Sequence, residues 1–330
     1  MNQTQKLSSA RIPSFIQTTI ALHDKNWFQT GGAADFYSEP TTAHEFIAAH
    51  QFAHDHQLPV FILGSGANIL ISDEGFKGLV IRPRLTAITC IEENEKTALI
   101  RADAGTTIHD VIEWSLAHNL LGLEEFSGIP GTIGGSVYIN LHYFEFLLSQ
   151  FLMSATVLEK STNTLHTVDN NWFNFGYNTS TLHQGKHLLI NATFKLTKGS
   201  ELHVAHAHGR RTEIIRHRAA RYPQKNTCGS FFRNFYDHEV FESQYGKKVI
   251  WVAYYLDKVG VKGQLEHGDA QVSYQHSNMI VNRVKATTSD IITVARMMQQ
   301  KVSIEFGIMP QPECQFIGFT TYPLYHKEIL

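Results

Sequence analysis

Cysteine is scarce in this chain: of 330 residues only Cys90, Cys228 and Cys314 carry thiols, far apart and without CxxC spacing. Neither a disulfide framework nor a thiolate zinc site is expected, and no metal is assigned. Excess charge of either sign is also lacking, since 28 Lys+Arg against 30 Asp+Glu leave a formal net charge of −2. A nucleic-acid binder normally carries a basic excess, so that class of partner is set aside. No apolar run approaches the roughly 20 residues of a membrane span. Residues 1–9 are polar and hold no apolar stretch of the kind a secretory leader has. A cytoplasmic protein without a membrane partner is the expectation. Two nucleotide-binding signatures are missing as well. No GxGxxG is followed by an acidic residue about 20 positions on, and there is no GxxxxGK[ST] loop.

What is present points to a folded chain of two domains. Hydrophobic residues make up 43% and charged residues 18%, which allows large cores and excludes a disordered chain. At about 150 residues per domain, two are expected. Histidine is abundant, at 19 residues. The run His203-Val-Ala-His206-Ala-His208, followed by His217, has no carboxylate-flanked ligand spacing and reads as a solvated helix face.

Periodicity predicts a helix over 41–57, with Thr42 and Glu45 as a capping box and Phe46, Ala49 and Ala53 inward. Residues 59–63, 78–82 and 97–101 read as strands, the first of them buried. Thr107 caps a second helix with Ile108, Val111, Ile112, Ser115 and Leu116 inward. Residues 188–196 alternate like a strand. Further helices are expected over 201–222 and 249–259, and a long one capped by Ser289 and stopped at Gly307. Residues 278–282 and 314–318 read as strands. The composition changes near residue 199, which sets the expected domains at 20–199 and 200–320.

Glycine concentrates in three segments: Thr30-Gly31-Gly32, Leu63-Gly64-Ser65-Gly66-Ala67-Asn68 and Gly128-Ile129-Pro130-Gly131-Thr132-Ile133-Gly134-Gly135-Ser136. Without Cβ atoms, backbone N–H groups can turn toward one point and cradle phosphate oxygens. Tight structural turns are the alternative for each.

The order of these segments carries more than any one alone. Asn26 to Asp35, Leu63 to Leu70 with Ser72-Asp73-Glu74-Gly75-Phe76, and Gly122-Leu123-Glu124 with Gly128 to Ser136 come first. Thr227-Cys228-Gly229-Ser230-Phe231-Phe232-Arg233-Asn234, Val259-Gly260-Val261-Lys262-Gly263 and Pro312-Glu313-Cys314 follow. Together they resemble the UDP-N-acetylenolpyruvoylglucosamine reductases (MurB) of bacterial cell-wall synthesis. The resemblance runs from about residue 20 to residue 318.

That resemblance implies an α+β fold. A FAD-binding region of the PCMH/vanillyl-alcohol-oxidase type would be followed by a smaller α+β substrate domain. It implies noncovalent FAD held by Leu63, Gly64, Ser65, Gly66, Ala67 and Asn68, and by Ile129, Pro130, Gly131, Thr132, Gly134, Gly135, Ser136 and Asn140. NADPH would be the reductant and a UDP-sugar enolpyruvyl ether the substrate. Ser230 stands where the family donates a proton, and Glu313 where it places a carboxylate beside the intermediate. Tyr177, Arg221, Asn234, Gln271 and His276 would face substrate, with Asn278 a weaker polar contact.

Two departures from the family pattern stand out. Where the family reads Tyr-Arg-x-Ser, this chain has Tyr177-Asn178-Thr179-Ser180, so a cation is missing from the catalytic set. Arg210, Arg211, Arg218, Arg221 or Arg233 could fill the role. The other readings are a flavin-binding relative whose reduction is lost or changed, and a FAD-linked oxidase of another sugar or small alcohol. After Asn140 the family continues with a small glycine-containing stretch, whereas this chain reads Leu141-His142-Tyr143-Phe144-Glu145-Phe146.

Overall fold

The computed structural model describes residues 12–326, so the polar residues 1–9 lie outside the described part. The chain forms two compact units, neither contiguous in sequence. The first takes residues up to Thr18, then Phe36–Ser65 and Gly78–Arg218; the second takes Thr19–Asp35, Gly66–Lys77 and Ala219 onward. By this division the Glu201–Arg221 helix belongs, up to Arg218, with the first unit.

In the first unit an antiparallel sheet runs in the order Thr164–Asp169, Leu152–Glu159, His187–Lys198, Thr97–Asp103, Ile88–Glu93. Leu120–Leu121 adds to His187–Lys198. Alternation selects the inner face: Ala98, Ile100 and Ala102 are buried, as are Ala192, Phe194 and Leu196 on the partner strand. The helix Ile108–Ala117 packs on that face through the five residues its spacing predicted. Its cap is as expected, with Thr107 Oγ1 accepting from Asp110 N–H at 3.0 Å.

A second core joins the helix Ala43–Asp55 to the parallel strands Val60–Ile62 and Phe76–Ile81 through Phe46, Phe52, Leu79 and Ile81. The capping box here is displaced by one residue. Thr42 accepts from Glu45 N–H, but the Glu45 carboxylate reaches back to Thr41 N and Oγ1 at 2.8 and 2.9 Å. Val60–Ile62 is only half-buried, so the expectation of a buried strand is corrected.

The second unit is built on the helix Thr288–Phe306, which buries Ile291, Val294, Ala295, Met298 and Val302 against the sheet Glu266–His267, Ala270–Val272, Ile280–Asn282. Each large apolar side chain so buried contributes roughly 1.5–3 kcal/mol. The cap is Thr287 rather than Ser289, in a reciprocal pair with Asp290 (3.1 and 2.8 Å). A third group intervenes at Ser289. Asp73 accepts from Thr288 N and Ser289 N at 2.9 and 3.1 Å, adding a carboxylate at the positive end of the helix. The expected 249–259 helix is shorter, Val252–Lys258. Gln315–Ile317 pairs in parallel with Ile69–Ile71.

The first glycine segment is structural and is not an anion nest. A Cβ on Gly31 would meet Ile71, and one on Gly32 would overlap the Asp73 carbonyl. Gly75 (φ +78°) likewise lies against Ala33 O, and Gly318 (φ +78°) against Gly75 O. Gly75→Ala should therefore combine left-handed strain with overpacking, each on the order of 1–3 kcal/mol. Asp73→Ala should cost about 1–2 kcal/mol by uncapping the long helix. Urea unfolding checks both, and a Gly75→Ala midpoint equal to the parent's would refute the close-packing argument.

Candidate active site

In the first unit the third glycine motif is clamped by the residues just before the Ile108–Ala117 helix. Gly134 N–H donates to Ala104 O and Ile133 N–H to Thr106 O, both at 2.8 Å, and Ile108 N–H donates to Gly131 O at 3.1 Å. Thr132 caps the short helix Ile133–Tyr138, and its Oγ1 lies where a Cβ on Gly64 would stand, 2.6 Å away. Two glycine motifs thus meet because neither Gly64 nor the 131–135 segment carries bulk at the contact.

This geometry redistributes the donors expected from the sequence. The N–H groups of Ile133, Gly134 and Ser136 are spent inside the protein. Those of Gly64, Ser65, Gly66, Ala67 and Asn68 donate to no protein acceptor among the described residues. The buried Thr106 hydroxyl is also unpartnered. Above Gly131 and Gly135 the space is open, with only the Ser136 and Thr132 hydroxyls within 4 Å of an added Cβ. The free N–H donors of Gly64 and Ser65, the orphaned Thr106 hydroxyl and the open glycine faces suit a phosphate group, so the donors present fit the pyrophosphate of FAD. The Ala104-Gly105-Thr106 clamp was missed from the sequence. Its one visible signal was a glycine just ahead of a helix cap.

Asn140 is 4% exposed with φ +51°, and its amide is used by the protein: Nδ2 donates to Gly176 O at 3.4 Å, and Oδ1 accepts from Ser149 N–H at 3.2 Å. It ties down the turn Gly176–Thr179, whose ends bridge each other around Tyr177 and Asn178. Asn178 adopts φ +55°, a left-handed conformation that asparagine tolerates better than arginine does. Both atoms of its amide are buried without a hydrogen-bond partner. Beside this turn, residues 142–147 form a tight hairpin with Tyr143 buried and Phe144 69% exposed at φ +51°. Glycine suits that turn position, and the Phe144 ring instead leans on Tyr143, centroids 4.7 Å apart. His142 packs against Tyr177, and burial lowers its pKa.

The candidate replacement cations are mostly committed. Arg210 pairs with Glu125 in a bidentate contact (2.8 and 2.9 Å), Arg211 with Glu113 at 2.5 Å, and Arg233 with Glu239 at 2.7 and 2.9 Å. Arg218 donates to Gly128 O at 3.1 Å, at the start of the third glycine motif, and lies over the Tyr143 ring. Arg221 lies over Tyr222. His203, His206, His208 and His217 are exposed on their helix.

In the second unit the segments bearing Ser230 and Glu313 are knitted together. Glu313 N–H donates to Phe231 O at 2.9 Å, and Phe232 bridges Pro312. Asn278 clasps the serine segment from the other side, holding Phe231 N (2.8 Å), Phe232 N (3.0 Å) and Phe232 O (2.7 Å). It is a buried positioning residue rather than the ligand contact expected. Asn68 approaches the glutamate segment, its O accepting from Gln315 N–H at 3.1 Å. Ser230 and Glu313 are both half-buried.

Of the expected substrate contacts in this unit, Asn234 Oδ1 accepts from Val252 N–H and Gln271 Nε2 donates to Gly263 O. Arg221, Tyr222 and His276 form a cluster, with Tyr222 and His276 centroids 5.4 Å apart. Burial pushes His276 down to about 4, aided by Arg221 and Lys262 against Asp257. Its Nδ1 accepts from Asn278 N–H, which leaves the proton of the neutral ring on Nε2.

Comparison with known proteins agrees with this geometry. Residues 34–167 match a family model described as FAD binding domain, and residues 222–317 one described as UDP-N-acetylenolpyruvoylglucosamine reductase, C-terminal domain. The fold is that of an α+β flavoprotein with a PCMH-type FAD-binding region. A UDP-N-acetylenolpyruvoylglucosamine reductase of Synechocystis sp. is 31% identical over 96% of this chain and 95% of its own length. One from Gloeobacter violaceus is 34% identical over 92% and 96%. A crystal structure of the enzyme (MurB) from Thermus caldophilus shares the fold, with a TM-score of 0.73 at 24% identity, over 92% of this chain and all of that one. The chain belongs to the UDP-N-acetylenolpyruvoylglucosamine reductase family.

The depressed pKa of His276 makes a signed prediction. Between pH 6.5 and about 4 the unfolded chain binds a proton that the folded state refuses, so stability falls as pH drops through that window. His276→Gln should flatten that acid limb by on the order of 2–3 kcal/mol. Urea midpoints at pH 7 and pH 4.5 compare the two proteins; equal losses in both would refute the assignment.

Proposed function

We propose that this chain is a working FAD-dependent reductase that converts UDP-N-acetylglucosamine enolpyruvate to UDP-N-acetylmuramate with NADPH, in the cytoplasm, as a step of peptidoglycan precursor synthesis. The observation that carries the reading is the junction of Asn68, Phe231–Phe232 and Pro312–Gln315 through backbone hydrogen bonds. It unites the end of the glycine loop with both retained members of the family's acid set. We assign the flavin to residues 20–199 and the sugar nucleotide to 200–320.

FAD, when bound, supplies the hydride for the enolpyruvyl double bond. In this reading Leu63 to Asn68 and Ile129 to Ser136 hold its pyrophosphate and ring. Asn140 keeps the Tyr177–Asn178 turn in position. The Ser230 hydroxyl donates the proton that completes the reduction, and the Glu313 carboxylate shapes the charge around it. Tyr177, Arg221, Asn234, Gln271 and His276 face the sugar nucleotide, with Arg221 and the Nε2–H of His276 as donors to phosphate oxygens. Of the possible replacements for the family arginine, we favour Arg218, because it lies on the third glycine motif. The unpartnered amide of Asn178 favours a second reading, in which the reduction is altered.

Half-reactions followed by flavin absorbance separate these readings. Ser230→Ala should leave reduction by NADPH intact and slow reoxidation by the enolpyruvyl substrate by about 10²–10⁴-fold. Equal slowing of both would make Ser230 a binding or folding residue. A parent enzyme that takes up FAD but is never reoxidised by that substrate would favour the second reading.

Asn178→Arg tests the departure itself. Left-handed backbone strain costs about 1–2 kcal/mol for a residue other than glycine or asparagine, and a buried cation adds to it. The variant should melt lower and reoxidise more slowly with substrate. Faster reoxidation at unchanged stability would mean that the missing cation had limited the parent enzyme.

A further inference from the structure

Arg233 stands three residues after Ser230 and forms a bidentate pair with Glu239, their side chains only 18% and 10% exposed. Nη1 donates to Glu239 Oε2 at 2.7 Å and Nη2 to Oε1 at 2.9 Å. The guanidinium does more than pair. Nη1 also donates to Asn234 O at 2.9 Å, and the group lies 4.3 Å from the centre of the Tyr236 ring. Glu239 Oε2 accepts in addition from Tyr236 N–H at 2.9 Å. The main-chain N–H of Arg233 donates to Gln311 O at 2.9 Å, two positions before Glu313. One side chain thus ties the turn at 236–239 to the end of the serine segment, and its backbone ties that end to the glutamate segment.

We propose that Arg233 and Glu239 are a positioning pair for reduction of the substrate: they fix the end of the serine segment against the glutamate segment and hold the Asn234 amide for the sugar nucleotide. The effect on the reaction rests on the roles of Ser230, Asn234 and Glu313 given above; the anchoring itself does not. Asn234 shows what is held. Its O accepts from Arg233 and its Oδ1 from Val252 N–H at 3.3 Å, so the residue is fixed at both acceptors. Its Nδ2 donates to no protein acceptor among the described residues and is the group left for a ligand oxygen.

The chemistry of the pair suits this task. A guanidinium fork engages both carboxylate oxygens, keeps a donor for the Asn234 carbonyl and packs over an aromatic ring at once. A lysine ammonium cannot span those acceptors in the same plane. Removing one charge from so enclosed a pair leaves the other uncompensated, so the turn is released rather than adjusted. Phe231 and Phe232 are fully buried, and Asn278 and Glu313 N–H grip them from either side. The far end of the segment depends on Arg233. A displacement near 1 Å in the reacting groups is enough to cost about 10²-fold in rate.

The test uses FAD-loaded full-length enzyme as parent, Glu239→Gln, Arg233→Lys and, as a control, Asp237→Asn, an exposed residue of the same turn. Single-turnover flavin absorbance reads each half-reaction, and hydrogen exchange by peptide mass reads the backbone over 230–240. Glu239→Gln should slow reoxidation at saturating substrate by roughly 10–100-fold and raise the half-saturating substrate concentration. Its reduction by NADPH should change by less than about twofold. Arg233→Lys, which keeps the charge but not the fork, should fall between parent and Glu239→Gln, and it carries the test if Glu239→Gln fails to load FAD. Exchange over 230–235 should rise in both variants while the Thr288–Phe306 helix stays protected, and Asp237→Asn should match the parent. Parent-like reoxidation in variants with raised exchange would overturn the positioning role, and so would equal slowing of both half-reactions. Unchanged exchange would overturn the anchoring. If the parent itself is never reoxidised by substrate, the catalytic reading fails, and hydrogen exchange still decides whether the pair anchors the segment.

Discussion

Close backbone contact at glycine organises the second unit. Gly32, Gly75 and Gly318 come from three distant stretches, and each lies where a Cβ would overlap a carbonyl of another. That three-way approach brings Ile69–Ile71 beside Gln315–Ile317 and so sets Asn68 against the segment that carries Glu313. It also aims the Asp73 carboxylate at the N-terminus of Thr288–Phe306, the helix on which the unit's core is built. A glycine signature that suggests phosphate binding here first performs a packing task.

In the first unit the same economy serves a different end. Gly64 and the 131–135 segment approach each other, but the donors divide unequally between them. The third motif spends its N–H groups on Ala104 and Thr106, which fixes its shape. Gly64 and Ser65 keep theirs uncommitted. Rigidity is thus supplied by one loop and binding capacity by the other, as a preorganised anion site requires.

The Tyr177–Asn178 turn is where this chain differs most from its family pattern. A left-handed position, a buried unpartnered amide and a rebuilt hairpin at 142–147 occur together. Asparagine satisfies the backbone at position 178 where arginine would strain it. The two departures lie side by side in the fold, and Arg218 donates to Gly128 O at the start of the third glycine motif.

Helix identity was legible in the residues, because a period of 3.6 with a capping threonine is a local property. The inward face of Ile108–Ala117 follows from spacing alone, as does the stop at Gly307. The order of the motifs likewise carried the flavoenzyme family. What the sequence could not determine was which of two equivalent local signals wins. Ser289 and Thr287 both suit a cap, and only Asp73, more than 200 positions earlier, decides between them. Gly31-Gly32 and Gly64-Ser65-Gly66 both suit a nest, and only the neighbours of each decide which stays open. Asn278 as a clasp was equally invisible. It depends on two loop segments 46 positions apart, where hydrogen-bond partners are chosen by packing rather than by proximity in the chain.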